Sequence, residues 1–215
     1  MNIPLQPFNF SGISARGIEV WRGERQVLVD VSLVVSAGEC VHVLGPNGSG
    51  KTTLLRVIAG LLMPEQGTIE WGGRATAERR DDWCAAISYL AHNDALKPEL
   101  SARENLAFDA GLRRKLRDGE IDTALADIGL SHAHDQPAGI LSAGQRRRLA
   151  MARVTLAAAP FWILDEPYTN LDSAGAALVA ALIGRHLDAG GAAIVAAHQP
   201  PTIPHHVPRR VDLAS

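Results

Sequence analysis

Short apolar segments recur along the chain, and several of them predict strands that are buried on both faces. Residues 161–164 and 192–197 are continuously apolar, which is typical of the central strands of a parallel sheet. Residues 41–44 and 87–90 are further short segments of strand length. A sheet that is apolar on both faces needs helices to cover it. The pattern therefore predicts an α/β fold.

Other segments alternate between apolar and polar residues, and these predict antiparallel strands at an edge. Residues 17–20 and 27–35 alternate in this way, and residues 68–73 predict a short hairpin with a Gly-Gly turn. Residues 210–213 predict a last edge strand. Residues 1–14 are rich in Pro, Asn and Ser, and we expect them to form a loose extension.

Helices are predicted where apolar residues recur at helical spacing behind a capping signal. Ser101 with Glu104, and Ser142 with Gln145, are capping-box patterns that each open a predicted helix. Asp172 is the expected N-cap of a helix that runs to about residue 187. A further helix is predicted over residues 121–128.

These elements fit one domain over residues 1–215, without an internal repeat or a break in composition. We expect a core made of about residues 15–90 and 160–215. Residues 91–159 are mostly helical in pattern and are expected to form a helical subdomain inserted into that core.

Composition and charge narrow the class of protein. The net charge of -2 argues against a general nucleic-acid binder. Cys40 and Cys84 form no C-x-x-C pair, and we expect reduced thiols that pack as small hydrophobic residues. No apolar run approaches the roughly 18 residues of a membrane span, and the amino-terminal segment lacks the apolar region of a signal peptide. We therefore expect a cytoplasmic protein, with any membrane spans supplied by other chains.

A glycine-rich motif lies between a predicted strand and a predicted helix. Residues 45–53 read GPNGSGKTT and fit the phosphate-binding pattern G-x-x-x-x-G-K-[ST]. The glycines let several backbone N–H groups point at one anion, and the helix adds the partial positive charge of its amino end. We expect Lys51 to reach the β- and γ-phosphates and Thr52 to offer its hydroxyl to Mg²⁺. The nucleotide-binding residues predicted in this motif are Gly45, Pro46, Asn47, Gly48, Ser49, Gly50, Lys51, Thr52 and Thr53.

Reactive side chains follow the predicted core strands at the end where open α/β sheets bind ligands. Asp165 and Glu166 follow one strand, and we expect Asp165 to hold Mg²⁺ and Glu166 to polarise an attacking water. His198 follows another strand and is predicted to contact the γ-phosphate or the water, and His92 follows a third. Taken alone, the two carboxylates also fit a solvated turn, and His198 also fits a capping histidine.

A second anion site is predicted at the helix that Ser142 opens. Ser142, Gly144 and Gln145 place a hydroxyl and free N–H groups at a helix amino end, and three arginines follow at residues 146–148. The chain already has its own phosphate cradle at Lys51. The second site therefore indicates a nucleotide held between two copies of the chain.

Together these motifs resemble those of the ATP-binding-cassette (ABC) ATPases, over about residues 18–213. GPNGSGKTT resembles the phosphate loop of that family, LSAGQ at residues 141–145 its signature, and WILDEP at residues 162–167 its strand with the catalytic carboxylate. TNLD at residues 169–172 resembles the dimer-contacting loop and His198 the switch histidine. The resemblance implies a P-loop, RecA-like core with an antiparallel β edge and a helical subdomain. It also implies ATP and Mg²⁺ as cofactors, and a dimer that encloses ATP.

The sequence departs from the pattern of that family at three places. The family usually has Gln where His92 stands, and we expect His92 either to serve Mg²⁺ and the attacking water or to act as a hinge. Ala143 replaces the first Gly of LSGGQ. The family's adenine-stacking aromatic is usual at the position of Arg22, so Trp21, one residue earlier, is the candidate for that contact.

Within the family, the His92 segment, LSAGQ and the HQP after the last core strand resemble the haem exporter ATPase subunits of the cytochrome c maturation system. The resemblance implies a peripheral ATPase on the cytoplasmic face of the inner membrane, bound to integral membrane subunits and to no nucleic acid. Its ATP hydrolysis would power haem export or release of the haem-loaded chaperone. The alternatives are the ATPase of an ABC transporter with another substrate and, third, a soluble ABC protein of DNA repair or translation.

Overall fold

The computed structural model describes residues 7–198 and 200–213. Within them, four strands form an antiparallel sheet and five form a parallel sheet. The strands are β1 (Ile13–Arg22), β2 (Arg25–Val35), β3 (Cys40–Leu44), β4 (Gln66–Trp71), β5 (Arg74–Ala75), β6 (Ile87–Leu90), β7 (Phe161–Asp165), β8 (Ala192–Ala196) and β9 (Arg209–Asp212). The α-helices are α1 (Lys51–Ile58), α2 (Arg80–Ala86), α3 (Ala102–Gly111), α4 (Glu120–Asp127), α5 (Ala143–Leu156) and α6 (Ser173–Asp188).

The parallel sheet has the strand order β6-β7-β8-β3-β9 and is covered on both faces. In β7, Trp162 and Leu164 pack into one hydrophobic core, whereas Phe161 and Ile163 pack into the other. Successive side chains of a strand point to opposite faces, so a strand between two cores must be apolar at every position. The α/β prediction and the continuously apolar strands are confirmed.

The antiparallel sheet, in the order β2-β1-β4-β5, packs over α1 and shares its core with one face of the parallel sheet. At Gly67 the backbone has φ +92°, and a Cβ there would lie 2.5 Å from the Arg16 carbonyl oxygen. Only glycine permits this close approach of β4 to β1. The predicted antiparallel edge strands and hairpin are confirmed.

Three helices lie between β6 and β7 and pack on the other core. Complete capping boxes open α3 at Ser101 and α5 at Ser142, as predicted. The predicted subdomain, residues 91–159, encloses α3, α4 and α5. Its division from the remaining core stays a prediction.

Two interpretations of the sequence were wrong. The predicted loose extension does not extend to Ser14, because Phe10 is buried and stacks on Phe161 at 5.3 Å, and β1 begins at Ile13. Residues 1–6 of that extension lie outside the described residues. Cys40 is buried as expected, but Cys84 is exposed on α2, so it does not pack as a core residue. Among the described residues, no helix combines the length and the apolar character that crossing a membrane requires.

Candidate functional site

The glycine-rich loop joins β3 to α1, as its position in the sequence predicts. Gly50 is the N-cap of α1 with φ +97°, and a Cβ there would lie 2.7 Å from a Leu28 methyl carbon. Gly45, at φ +148°, would place a Cβ 2.8 Å from the Leu213 carbonyl oxygen. Both positions therefore require glycine, and the loop curls tightly over the amino end of the helix.

The Lys51 side chain lies across this loop. Its ammonium donates hydrogen bonds to the carbonyl oxygens of Gly45 at 2.8 Å and Pro46 at 3.1 Å. The lysine is 8% exposed, so its charge is held inside the loop rather than in solvent. This position places one positive charge beside the backbone N–H groups at the start of α1.

Asp165 ends β7 directly beneath the start of α1. Its carboxylate is 1% exposed, and its Oδ1 accepts a hydrogen bond from the Thr52 hydroxyl at 3.2 Å. Its Oδ2 is buried without a hydrogen-bond partner in the described part of the chain. A buried anionic oxygen without a partner, next to a hydroxyl, is a donor set that suits a hard divalent cation.

Glu166 follows in an uncommon backbone conformation for a residue with a side chain. Its φ is +51°, and its backbone N–H donates to the Ala196 carbonyl at 2.8 Å. Its carbonyl accepts from the Thr169 N–H at 3.1 Å and from the Arg147 guanidinium at 2.8 Å. These contacts fix the turn that separates the directions of the Asp165 and Glu166 side chains.

A cavity of about 640 Å³ opens over the phosphate loop. Its lining includes the predicted residues Asn47, Gly48, Gly50, Lys51, Thr52, Thr53, His92, Glu166 and His198. The His198 Nε2 lies 2.6 Å from the Asn47 Oδ1, so the histidine contacts the phosphate loop directly. The structure thus brings the ends of β3, β6, β7 and β8 to one site, as the strand-end pattern predicts.

Trp21 does not belong to that lining. It is 45% exposed, whereas its neighbour Arg22 lines the cavity together with Arg25 and Val27. Successive side chains of a strand point to opposite faces, which accounts for the different surroundings of Trp21 and Arg22. The adenine contact of Trp21 stays a prediction.

The Ser142 helix end is also separate from the cavity. The Ser142 hydroxyl accepts from the Gln145 N–H at 3.2 Å, and the Gln145 side-chain oxygen accepts from the Ser142 N–H at 2.8 Å. Gly144 lies against the Asn170 carbonyl oxygen, which a Cβ would approach to 2.8 Å. Within one copy of the chain, this helix end and the Lys51 loop therefore do not line one cavity.

Comparison with known proteins identifies the family. The model of the family described as ABC transporter matches residues 28–169, more than half of the chain. The chain belongs to the ABC transporter family. As a member of this family, it is an ATP-binding subunit with ATPase activity.

Curated ABC relatives resemble the chain over nearly its whole length. The cytochrome c biogenesis ATP-binding export protein CcmA of Nitrosococcus oceani is 43% identical, over 90% of this chain and 88% of that protein. The corresponding protein of Rhodopseudomonas palustris is 45% identical, over 87% of this chain and 92% of its own length. That of Xanthomonas campestris is 46% identical over 86% of each chain.

Solved ABC structures share the fold. An ATP-binding protein of an ABC transporter from Pyrococcus furiosus has a TM-score of 0.81 and 25% identity, over 94% of this chain and 98% of that one. The ATP-binding subunit of another ABC transporter has a TM-score of 0.77 and 24% identity, over 86% of this chain and 79% of that one. The second likeness supports the fold alone.

Several residues that line the ABC ATPase cavity or support it were absent from the sequence-based prediction. Arg22, Arg25 and Arg56 add positive charge around the phosphate loop. Positive side chains suit a polyphosphate ligand. Their positions lie outside the motifs, and the sequence carries no spacing signal that would select them.

The three arginines after LSAGQ differ from the expected anion-facing cluster. Arg146 binds the Leu141 carbonyl, and Arg148 binds the Ile128 carbonyl at 2.6 Å. Arg147 is 2% exposed and reaches the ends of two core strands. These guanidinium groups therefore contact their own chain.

Proposed function

We propose that the chain is the ATP-hydrolysing subunit of a membrane ABC complex for cytochrome c biogenesis. One observation carries the chemistry: a single cavity at the strand ends gathers the Lys51 loop, Thr52, Glu166 and His198. The names of the curated relatives, at 43–46% identity, support the biological role. The cavity residues and the names of the relatives together support ATP hydrolysis by this chain as the energy source of that complex.

The phosphate loop binds the triphosphate of ATP. Backbone N–H groups of residues 47–53 surround the phosphates, and the Lys51 ammonium leaves the Gly45 and Pro46 carbonyls to bind the β- and γ-phosphate oxygens. Thr52 and Asp165, which are joined by a hydrogen bond, would hold Mg²⁺. His92, which lines the cavity together with Thr52, would be a further ligand or a contact of the attacking water. When bound there, Mg²⁺ would supply positive charge against the negative charge of the β- and γ-phosphate oxygens.

Glu166 acts as the general base. Its carboxylate accepts a proton from a water molecule as that water attacks the γ-phosphorus. The bond between the γ-phosphorus and the bridging oxygen breaks, and ADP and inorganic phosphate leave. His198 contacts Asn47 of the phosphate loop, which supports a role in contacting the γ-phosphate or the water.

Two copies complete the site. Because Ser142, Gly144 and Gln145 lie away from the cavity of their own chain, we infer that they meet the γ-phosphate bound by a second copy. This arrangement is reciprocal and gives a two-fold dimer with two enclosed ATP molecules. Because the capping box engages the Ser142 and Gln145 N–H groups, the donors for that phosphate are the Ser142 hydroxyl and the other N–H groups in the first turn of α5.

The complex uses this hydrolysis for haem export or for release of the haem-loaded chaperone. The chain is then a peripheral subunit on the cytoplasmic face of the inner membrane, bound to integral membrane subunits. It has no nucleic-acid partner in this proposal.

A complementation experiment tests the role. A strain that lacks the gene should lose its c-type cytochromes, measured by haem staining, and the wild-type gene should restore them. Glu166→Gln should fail to restore them, whereas the exposed matched control Glu99→Gln should succeed. Normal c-type cytochromes in the deletion strain would refute the biogenesis role and favour another transported substrate.

A further inference from the structure

Arg147 is a buried cation that binds oxygen atoms from two separate strand ends. One guanidinium nitrogen, Nη1, donates to the Ala91 carbonyl at 3.0 Å and to the Asp94 carboxylate at 2.8 Å. The other nitrogen, Nη2, donates to the carbonyl oxygens of Asp165 at 2.5 Å and Glu166 at 2.8 Å. The planar fork of arginine allows one side chain to hold both strand ends at once.

The buried charge of Arg147 needs a negative partner and hydrogen-bond acceptors. The Arg147 side chain is 2% exposed, and a buried guanidinium is costly unless it is paired and hydrogen-bonded. Asp94, itself 22% exposed, supplies the negative charge, and backbone carbonyls accept from both terminal nitrogens, whereas the Nε has no hydrogen-bond partner in the described part of the chain. The arrangement therefore favours a fixed distance between the segment after β6 and the end of β7.

The contacts lie on the backbone of the proposed general base. Glu166 has φ +51°, a conformation that surrounding contacts must hold in place for a residue with a side chain. Arg147 binds the Glu166 carbonyl and the carbonyl before it. Rotation of either peptide plane would change the direction of the Glu166 carboxylate.

The same guanidinium also reaches the His92 segment. Nη1 lies 3.4 Å from the His92 carbonyl oxygen, in addition to its contacts with Ala91 and Asp94. Both His92 and Glu166 line the cavity over the phosphate loop. Arg147 thus binds the backbone of two residues that line this cavity, although it does not line the cavity itself.

Arg147 stands on the helix that begins at Ser142. The two residues are five positions apart on α5, about 7–8 Å along the helix axis. A helix transmits a displacement of its end as a rigid body over this distance. Because rigid secondary elements carry coupling between sites, a shift at Ser142 would move the guanidinium that holds Glu166 and the His92 segment.

We propose that Arg147 is a positioning residue that couples the Ser142 helix end to the hydrolytic carboxylate. This inference rests on the proposed ATPase function and deepens it. When the phosphate of a second copy's ATP binds at Ser142, Arg147 sets the peptide planes after Asp165 and Glu166. Hydrolysis then proceeds only when the two copies have closed.

Arg147→Lys tests the proposal, because lysine keeps the charge but cannot span both strand ends. Arg148→Lys is the matched control, since Arg148 neighbours Arg147 on α5 but binds the Ile128 carbonyl instead. The full chain would be purified with the membrane subunits that co-purify with it. The measurements are kcat for ATP, the Kd for MgATP and the thermal unfolding midpoint.

We expect Arg147→Lys to lower kcat by about 10- to 100-fold, the cost of a misplaced catalytic group, while the Kd for MgATP changes less than about twofold. Arg148→Lys should keep both values within about twofold of wild type. An Arg147→Lys kcat equal to that of the control would overturn the proposal. A Kd that rises as much as kcat falls would also overturn it, since Arg147 would then serve binding.

Asp94→Asn provides a second, milder variant if Arg147→Lys does not fold. It removes the charged partner and leaves the carbonyl contacts of Arg147 in place. A lower kcat at unchanged Kd supports the proposal, and an unchanged kcat overturns it. If wild type and Arg148→Lys lack ATPase activity, the proposed function fails as well, which separates that outcome from failure of the coupling alone.

Discussion

His186 is a buried imidazole that should make the protein lose stability in mild acid. It lies on α6 near the start of β8, is 0% exposed and stacks on Trp162 with ring centroids 3.9 Å apart. Its Nε2 contacts the Ala192 carbonyl at 3.2 Å, while its Nδ1 has no hydrogen-bond partner within residues 7–198 and 200–213. A proton added at Nδ1 would be buried without an acceptor.

Burial lowers the pKa of His186 to about 4, although the carbonyls of Ala192 and Pro160 oppose this shift. An unfolded histidine titrates near pH 6.5, so the unfolded chain binds the proton first as the pH falls. The stabilising contribution is therefore complete above about pH 6.5 and is lost by about pH 4. Over that window the free energy of unfolding falls by about 3 kcal/mol because of His186. Between pH 7 and pH 5 the fall is about 2 kcal/mol.

His186→Phe keeps an aromatic ring against Trp162 and removes the titrating group. The free energy of unfolding would be measured with urea at pH 7 and at pH 5 for both proteins. Wild type should lose about 2 kcal/mol more than the variant over this interval. His42, whose pKa is lowered to about 4 by burial and then by Arg210, contributes in both proteins and cancels in the comparison.

The exposed His205 provides the control, because His205→Asn also removes one imidazole but from the surface. This variant should keep the pH dependence of wild type. Equal losses in wild type and His186→Phe would refute the reasoning, since the buried ring would then not resist protonation.

Three further predictions concern the nucleotide site. His92→Ala should lower kcat at saturating MgATP, whereas His92→Gln should retain most of it, because the amide replaces the acceptor that the imidazole nitrogen offers to Mg²⁺ or the attacking water; an unchanged kcat in His92→Ala would leave His92 as a hinge. Trp21→Ala should raise the KM for ATP about fivefold if Trp21 stacks on adenine, and an unchanged KM would assign that contact to Arg22. Glu166→Gln should sediment as a dimer with saturating MgATP, and a monomer would contradict the two-copy site.

The strand ends of the site were predictable because local rules determine them. The phosphate loop needs Gly45 and Gly50 for its curl, and a strand between two cores must be apolar up to Asp165. The capping boxes at Ser101 and Ser142 likewise depend on residues three positions apart. Such signals lie within a few neighbouring residues, so a sequence alone reveals them.

The remaining features depend on contacts between distant segments. Arg147 stands in a run of three arginines, which is typical of a solvated face, yet its acceptors lie 18 to 56 positions away. Helix α2 was missed because charged residues surround its buried Trp83, whose indole donates to the Ile58 carbonyl at 2.9 Å. Phe10 packs against Phe161, which lies 151 positions later in the chain, and no local sequence pattern predicts that contact.

The turnover of MgATP by Glu166→Gln tests the central claim most directly. The claim is that Glu166, held at the end of β7 over the Lys51 loop, is the general base of an ATPase. Turnover would be measured together with the Kd for MgATP, beside wild type and the exposed control Glu99→Gln. We predict that kcat falls by about 10²- to 10⁴-fold, with the Kd unchanged and the control at wild-type turnover. A Glu166→Gln protein that turns over ATP as fast as wild type would contradict the account.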